Sequence, residues 1–114
     1  MNLRVACLIA ACICSTPSDA QEKPTRFWNL TGDTITRFRL APSGTDRFGP
    51  DQCANDRDGT VDYDERLRIL GVKAGRHDAQ FQTKHGLLCT VRNLEITIGE
   101  VFSIEEKDLS ECRR

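Results

Sequence analysis

Apolar side chains in this sequence recur at every second position, and no apolar stripe with helical spacing runs longer than two turns. Such alternation suits strands with one buried and one wet face, so an all-β chain is expected. Thr34 to Leu40 sets Thr36, Phe38 and Leu40 against Ile35, Arg37 and Arg39, and Leu67 and Ile69 stand beside Arg66 and Arg68. His77, Ala79 and Phe81 alternate with Asp78, Gln80 and Gln82, and two more apolar runs cover Leu87 to Ile98 and Glu100 to Ile104. Lys84-His85-Gly86 marks the clearest hairpin, and Thr31-Gly32-Asp33 predicts another between Arg26–Leu30 and Thr34–Leu40. Six or seven short strands with Gly and Pro turns predict a small antiparallel β-sandwich. Its core would take Phe27 or Trp28, Phe38, Leu40, Leu67, Ile69, Phe81, Val91, Leu94, Phe102 and Ile104.

The 114 residues leave room for one such domain. Met1 to Ala20 has the form of an export signal: Arg4, an apolar run from Val5 to Cys14, then Ser18 and Ala20 at the small-residue positions before a cut. Residues 21–114 are then the sandwich domain, expected in the periplasm or secreted. The apolar run would rise only about 15 Å as a helix, too short for a hydrocarbon core, so the mature chain is expected to carry no transmembrane segment. A rival is a lipoprotein anchored at Cys12, since Ile9-Ala10-Ala11-Cys12 resembles a lipobox. The cut removes Cys7, Cys12 and Cys14, leaving Cys53, Cys89 and Cys112 and three possible pairings for one bridge. With 16 Lys and Arg against 17 Asp and Glu there is no global basic field to pull the protein onto nucleic acid or an anionic membrane, and nucleic acid is not expected as a partner.

Ala41 to Asp64 is a long loop rich in Pro, Gly and acids, either functional or internally tied. Within it, Gly59 can be placed at the sixth position of a twelve-residue calcium loop. Asp56, Asp58, Thr60, Asp62 and Glu65 then fall on positions three, five, seven, nine and twelve. Such a loop gathers hard oxygens around a tight glycine turn because Ca²⁺ needs six to eight of them. Ala54 stands where the first carboxylate belongs, and the helices of an EF-hand are absent from the pattern. The competing reading is a solvated acidic turn with no cofactor at all.

Phe27-Trp28-Asn29-Leu30-Thr31, Leu40-Ala41-Pro42-Ser43-Gly44-Thr45, Phe48-Gly49-Pro50, Cys89-Thr90-Val91-Arg92-Asn93 and the late Leu109 to Cys112 together resemble a group of small exported bacterial proteins. The likeness spans nearly all of residues 26–112 and implies an immunoglobulin-like sandwich and export, but no activity. Some of those proteins carry the name argininosuccinate lyase. This chain lacks the Gly-Ser-Ser catalytic loop of such lyases and is far too short to build their large helical fold. The two late cysteines of the pattern fall on Cys89 and Cys112, the expected bridge, which would contribute about 3 kcal/mol through chain entropy. Cys53 is then the odd thiol, free, bonded between molecules or packed against the sheet.

Other chemistries find little purchase. His85 and Cys89 are spaced like metal ligands, with His77 eight residues before His85, but on an extended chain they stand too far apart to share one zinc ion. There is no Gly-x-Ser-x-Gly elbow and no phosphate loop. Asn29-Leu30-Thr31 matches a glycosylation acceptor. The expected function is a non-enzymatic binding or accessory module that meets an unknown protein or cell-envelope partner through sheet edges or the acidic loop. The alternative is a calcium- or other metal-dependent protein or small enzyme working at residues 51–65.

Overall fold

The computed structural model describes residues 23–114. The expected leader, its cut after Ala20, and Cys7, Cys12 and Cys14 lie outside the described residues. Seven strands follow in chain order: β1 Arg26–Leu30, β2 Ile35–Pro42, β3 Arg66–Arg68, β4 Gly75–Thr83, β5 Leu88–Ile96, β6 Val101–Glu105 and β7 Glu111–Arg113. They form a small β-sandwich of two packed sheets, one ordered β3-β1-β6 and the other β2-β4-β5-β7. All pairs are antiparallel except β1 with β6, which runs parallel because the chain leaves β5, changes sheet at residues 97–100 and enters beside β1 in the same sense.

The β4–β5 hairpin is as expected. Thr83 accepts from the Gly86 amide and donates to the Leu87 carbonyl, and Gly86 has φ 86°, the left-handed residue that follows a three-residue hairpin turn. The expected β1–β2 hairpin does not form. Thr31-Gly32-Asp33 does turn the chain, but β1 pairs with β3 and β6 while β2 pairs with β4, so the turn carries the chain from one sheet to the other. Asn29 holds this corner. Its fully buried amide donates to the carbonyls of Asp33 and Val61, and its oxygen accepts from the Thr31 amide and hydroxyl. An asparagine so enclosed is not an exposed glycosylation acceptor.

The two inner faces meet through aromatic rings. Phe27 on β1 stacks on Phe38 on β2 with centroids 4.2 Å apart, and Phe81 and Phe102 extend the cluster. Leu40, Leu67, Ile69, Val91 and Ile104 are buried as the alternation requires, while Trp28 faces outward and Leu94 and Phe102 are half-buried against the core. Ile35 is buried too, although it stands opposite in phase to Phe38. A bulge between Ile35 and Arg37 inserts an extra residue and returns the side chain to the inner face.

The long loop is internally tied, and it closes one flank of the sandwich. Val61 and Ile35 exchange backbone hydrogen bonds, the Gly49 amide donates to the Leu40 carbonyl, and Asp51 accepts from the Phe38 and Cys53 amides, so the outer edge of β2 is covered. A short 3-10 helix, Gln52–Asn55, covers β3 in the same way. The Gln52 amide donates to the Leu70 carbonyl and accepts from the Leu70 amide, imitating a neighbouring strand, and Asn55 donates to the Arg68 carbonyl. Cys53 and Val61 from this loop are part of the buried core.

Candidate functional site

The outer face of the four-stranded sheet is built from two cross-strand rows. Arg39 lies opposite Gln80, Gln80 opposite Thr90 and Thr90 opposite Glu111; the next row runs Arg37, Gln82, Leu88, Arg113. The bulge at the start of β2 sets the phase that turns both Arg37 and Arg39 outward. Between the rows lies a depression of about 280 Å³ lined by Arg37, Arg39, Gln80, Gln82, Leu88 and Arg114, among others. Three guanidinium groups therefore border one shallow hollow, and among the described residues none of them enters an ion pair.

Arg39 is the best-positioned of the three. Its Nη2 donates to Gln80 Oε1 at 2.6 Å, and its guanidinium sits 5.8 Å from the Phe48 ring centroid. Its Nε–H is buried with no acceptor. A buried donor without a partner costs free energy, and the guanidinium fork is shaped for carboxylate or phosphate oxygens. Arg114 is held at the rim by donating to the His85 carbonyl at 3.2 Å. Sequence alternation marked Arg37 and Arg39 only as a wet face. Their gathering with Arg114 depends on strand register and on β7 closing the sheet, which spacing along the chain does not carry.

The acids of the long loop are placed differently. Asp56 accepts from the Asp58 amide, Glu65 from the Asp62 amide, and Asp62 from the Thr34 hydroxyl at 2.8 Å. Asp64 accepts from the Trp28 indole and Asp51 from two backbone amides. Thr60 stands half-buried between Gly59 and Val61. Among the described residues no three His, Cys, Asp or Glu side chains form a group that could hold a metal ion. The zinc spacing also dissolves: His85 bonds Asp33, His77 lies buried beside the Gly75 carbonyl, and Cys89 is joined to Cys112.

Cys89 and Cys112 oppose each other across β5 and β7 with sulfur atoms at bonding distance, 2.07 Å, and Cα atoms 4.1 Å apart. Cys53 is free and fully buried. Burial, with the nearby charges of Asp51 and Asp56, pushes its thiol up to about 12, so it is a core residue and not a nucleophile or an intermolecular link. Among the described residues the one deeply buried carboxylate is Asp78. It accepts from the Gly44 and Asn93 amides, the Ser43 hydroxyl and Arg92. Burial alone would raise its pKa, but these donors outweigh it and hold the group below the usual carboxylate value.

Comparison with protein-family models, with curated proteins and with solved structures returns no match.

Proposed function

We propose that this protein is an exported, non-enzymatic binding module that takes a small anion, carboxylate or phosphate, in the arginine-lined hollow of its four-stranded sheet. The observation that carries the reading is the buried, unpartnered Nε–H of Arg39 beside Arg37 and Arg114. Three cations around one hollow repel one another, and an oxyanion between them relieves that repulsion while supplying the missing acceptor. The form of residues 1–20, the likeness to small exported bacterial proteins and the Cys89–Cys112 bridge support export.

Isothermal titration with inorganic phosphate and with citrate, at constant ionic strength, tests the reading. Saturable binding of either one is expected, reduced at least tenfold in Arg39→Gln, a loss of the size that a charged hydrogen bond contributes. Heat that follows ionic strength alone, or equal binding by Arg39→Gln, would remove the site.

A further inference from the structure

The opposite outer face, that of the three-stranded sheet, has a different chemistry. Arg26 on β1 lies directly opposite Arg68 on β3 and opposite Val101 on β6, and Trp28 lies opposite Arg66. The Arg66 guanidinium sits over the Trp28 ring at 4.2 Å, and the indole donates to Asp64 at 2.9 Å. Two like charges directly opposed across a strand pair repel. Among the described residues, Arg26, Arg66 and Arg68 enter no ion pair. The same face exposes large apolar groups: Leu70, which continues the outward alternation of β3, is 54% exposed and Val101 is 48% exposed. Asp64 and Glu105 lie toward the other end of β1; at the Arg26 end Arg26 and Arg68 are accompanied by the exposed Glu100, whose carbonyl accepts from the Arg26 amide.

We infer that this face lies against an anionic lipid bilayer, with headgroup phosphates between Arg26, Arg66 and Arg68 and with Leu70 and Val101 reaching the headgroup–acyl boundary. Clustered arginines alone would suit any polyanion. Exposed apolar side chains flanking them gain free energy only where the anionic surface also offers hydrocarbon, and that combination selects a membrane over a soluble chain of phosphates or sulfates. The ring of Trp28, covered by Arg66, serves as the platform that holds one guanidinium in the plane of the face.

Co-sedimentation of the purified protein with phosphatidylcholine vesicles, and with vesicles of equal parts phosphatidylcholine and phosphatidylglycerol, tests this. Binding to the anionic vesicles alone is expected, weakened by salt. The Arg26→Glu, Arg68→Glu pair should lower the partition coefficient at least roughly tenfold. The milder Arg68→Gln should lower it less, and Leu70→Ser with Val101→Ser should weaken binding at fixed salt. Arg39→Gln, on the other sheet, should bind vesicles normally even if phosphate and citrate binding at the hollow is lost. No sedimentation with anionic vesicles, or equal sedimentation of the charge-reversed variant with its melting transition intact, would overturn the inference. So would binding to soluble heparin without binding to vesicles.

Discussion

Asp78 shows how one residue can knit three segments together. Its oxygens take the Gly44 and Asn93 amides, the Ser43 hydroxyl and the Arg92 guanidinium, so the Pro42–Thr45 turn and the bend at Asn93 (φ 61°) both hang on one carboxylate. Asp78→Ala should lower unfolding stability by about 3 kcal/mol, because it leaves buried donors without an acceptor. The pH dependence follows from the lowered pKa. The charged form is favoured in the folded state, so the stabilisation is complete above the unfolded value, near 3.8, and fades as pH falls through the lower folded value. Urea unfolding between pH 7 and pH 2 should therefore show a steeper acid loss for the native sequence than for Asp78→Asn, and parallel curves would contradict this account.

At the scale of elements, the loop from Ser43 to Glu65 shows what chain spacing leaves out. Its acids read as a calcium loop because a Gly flanked by alternating carboxylates is a pattern of residue types, and patterns do not reveal where backbone amides point. Here those amides, the Thr34 hydroxyl and the Trp28 indole take up the oxygens of Asp51, Asp56, Asp62, Asp64 and Glu65. The melting temperature is accordingly expected to be the same in millimolar calcium and in chelator, and Asp58→Ala should change stability by less than about 0.5 kcal/mol. A calcium-dependent rise that Asp58→Ala abolishes would return the loop to metal binding. Six of the seven strands were legible from their apolar pattern and the β4–β5 hairpin from its Gly, whereas β7 lies in a charged tail that shows no strand pattern. The bulge at Ile35, the sheet change at Asn29 and the strand-like role of Gln52 were not. Each depends on contacts with a distant segment, and none has a local residue that demands it.

Across the whole molecule, the last strand completes the candidate site as well as the sheet. β7 is three residues long and carries Arg113 into the second outer row, with Arg114 at the rim of the hollow, and the bridge from Cys112 to Cys89 holds it there. Replacing both cysteines by Ala should cost about 3 kcal/mol, and a loss below about 1 kcal/mol would mean that strand pairing alone suffices. The same replacement should weaken phosphate binding more than Arg37→Gln does, since Arg114 loses its fixed position. Cys53, Cys89 and Cys112 by themselves allow three pairings, and the choice of Cys89 with Cys112 comes from the resemblance to small exported proteins. The hollow was not legible, because its arginines come from opposite ends of the domain. The covered flank has one more consequence. Each sheet has one edge clamped by the long loop, at β2 and at β3, and its other edge at β6 or β7. With β2 and β3 clamped, each sheet keeps a single edge for pairing with another molecule, so a sheet shared between molecules stops at two copies and cannot grow in both directions as one continuous sheet.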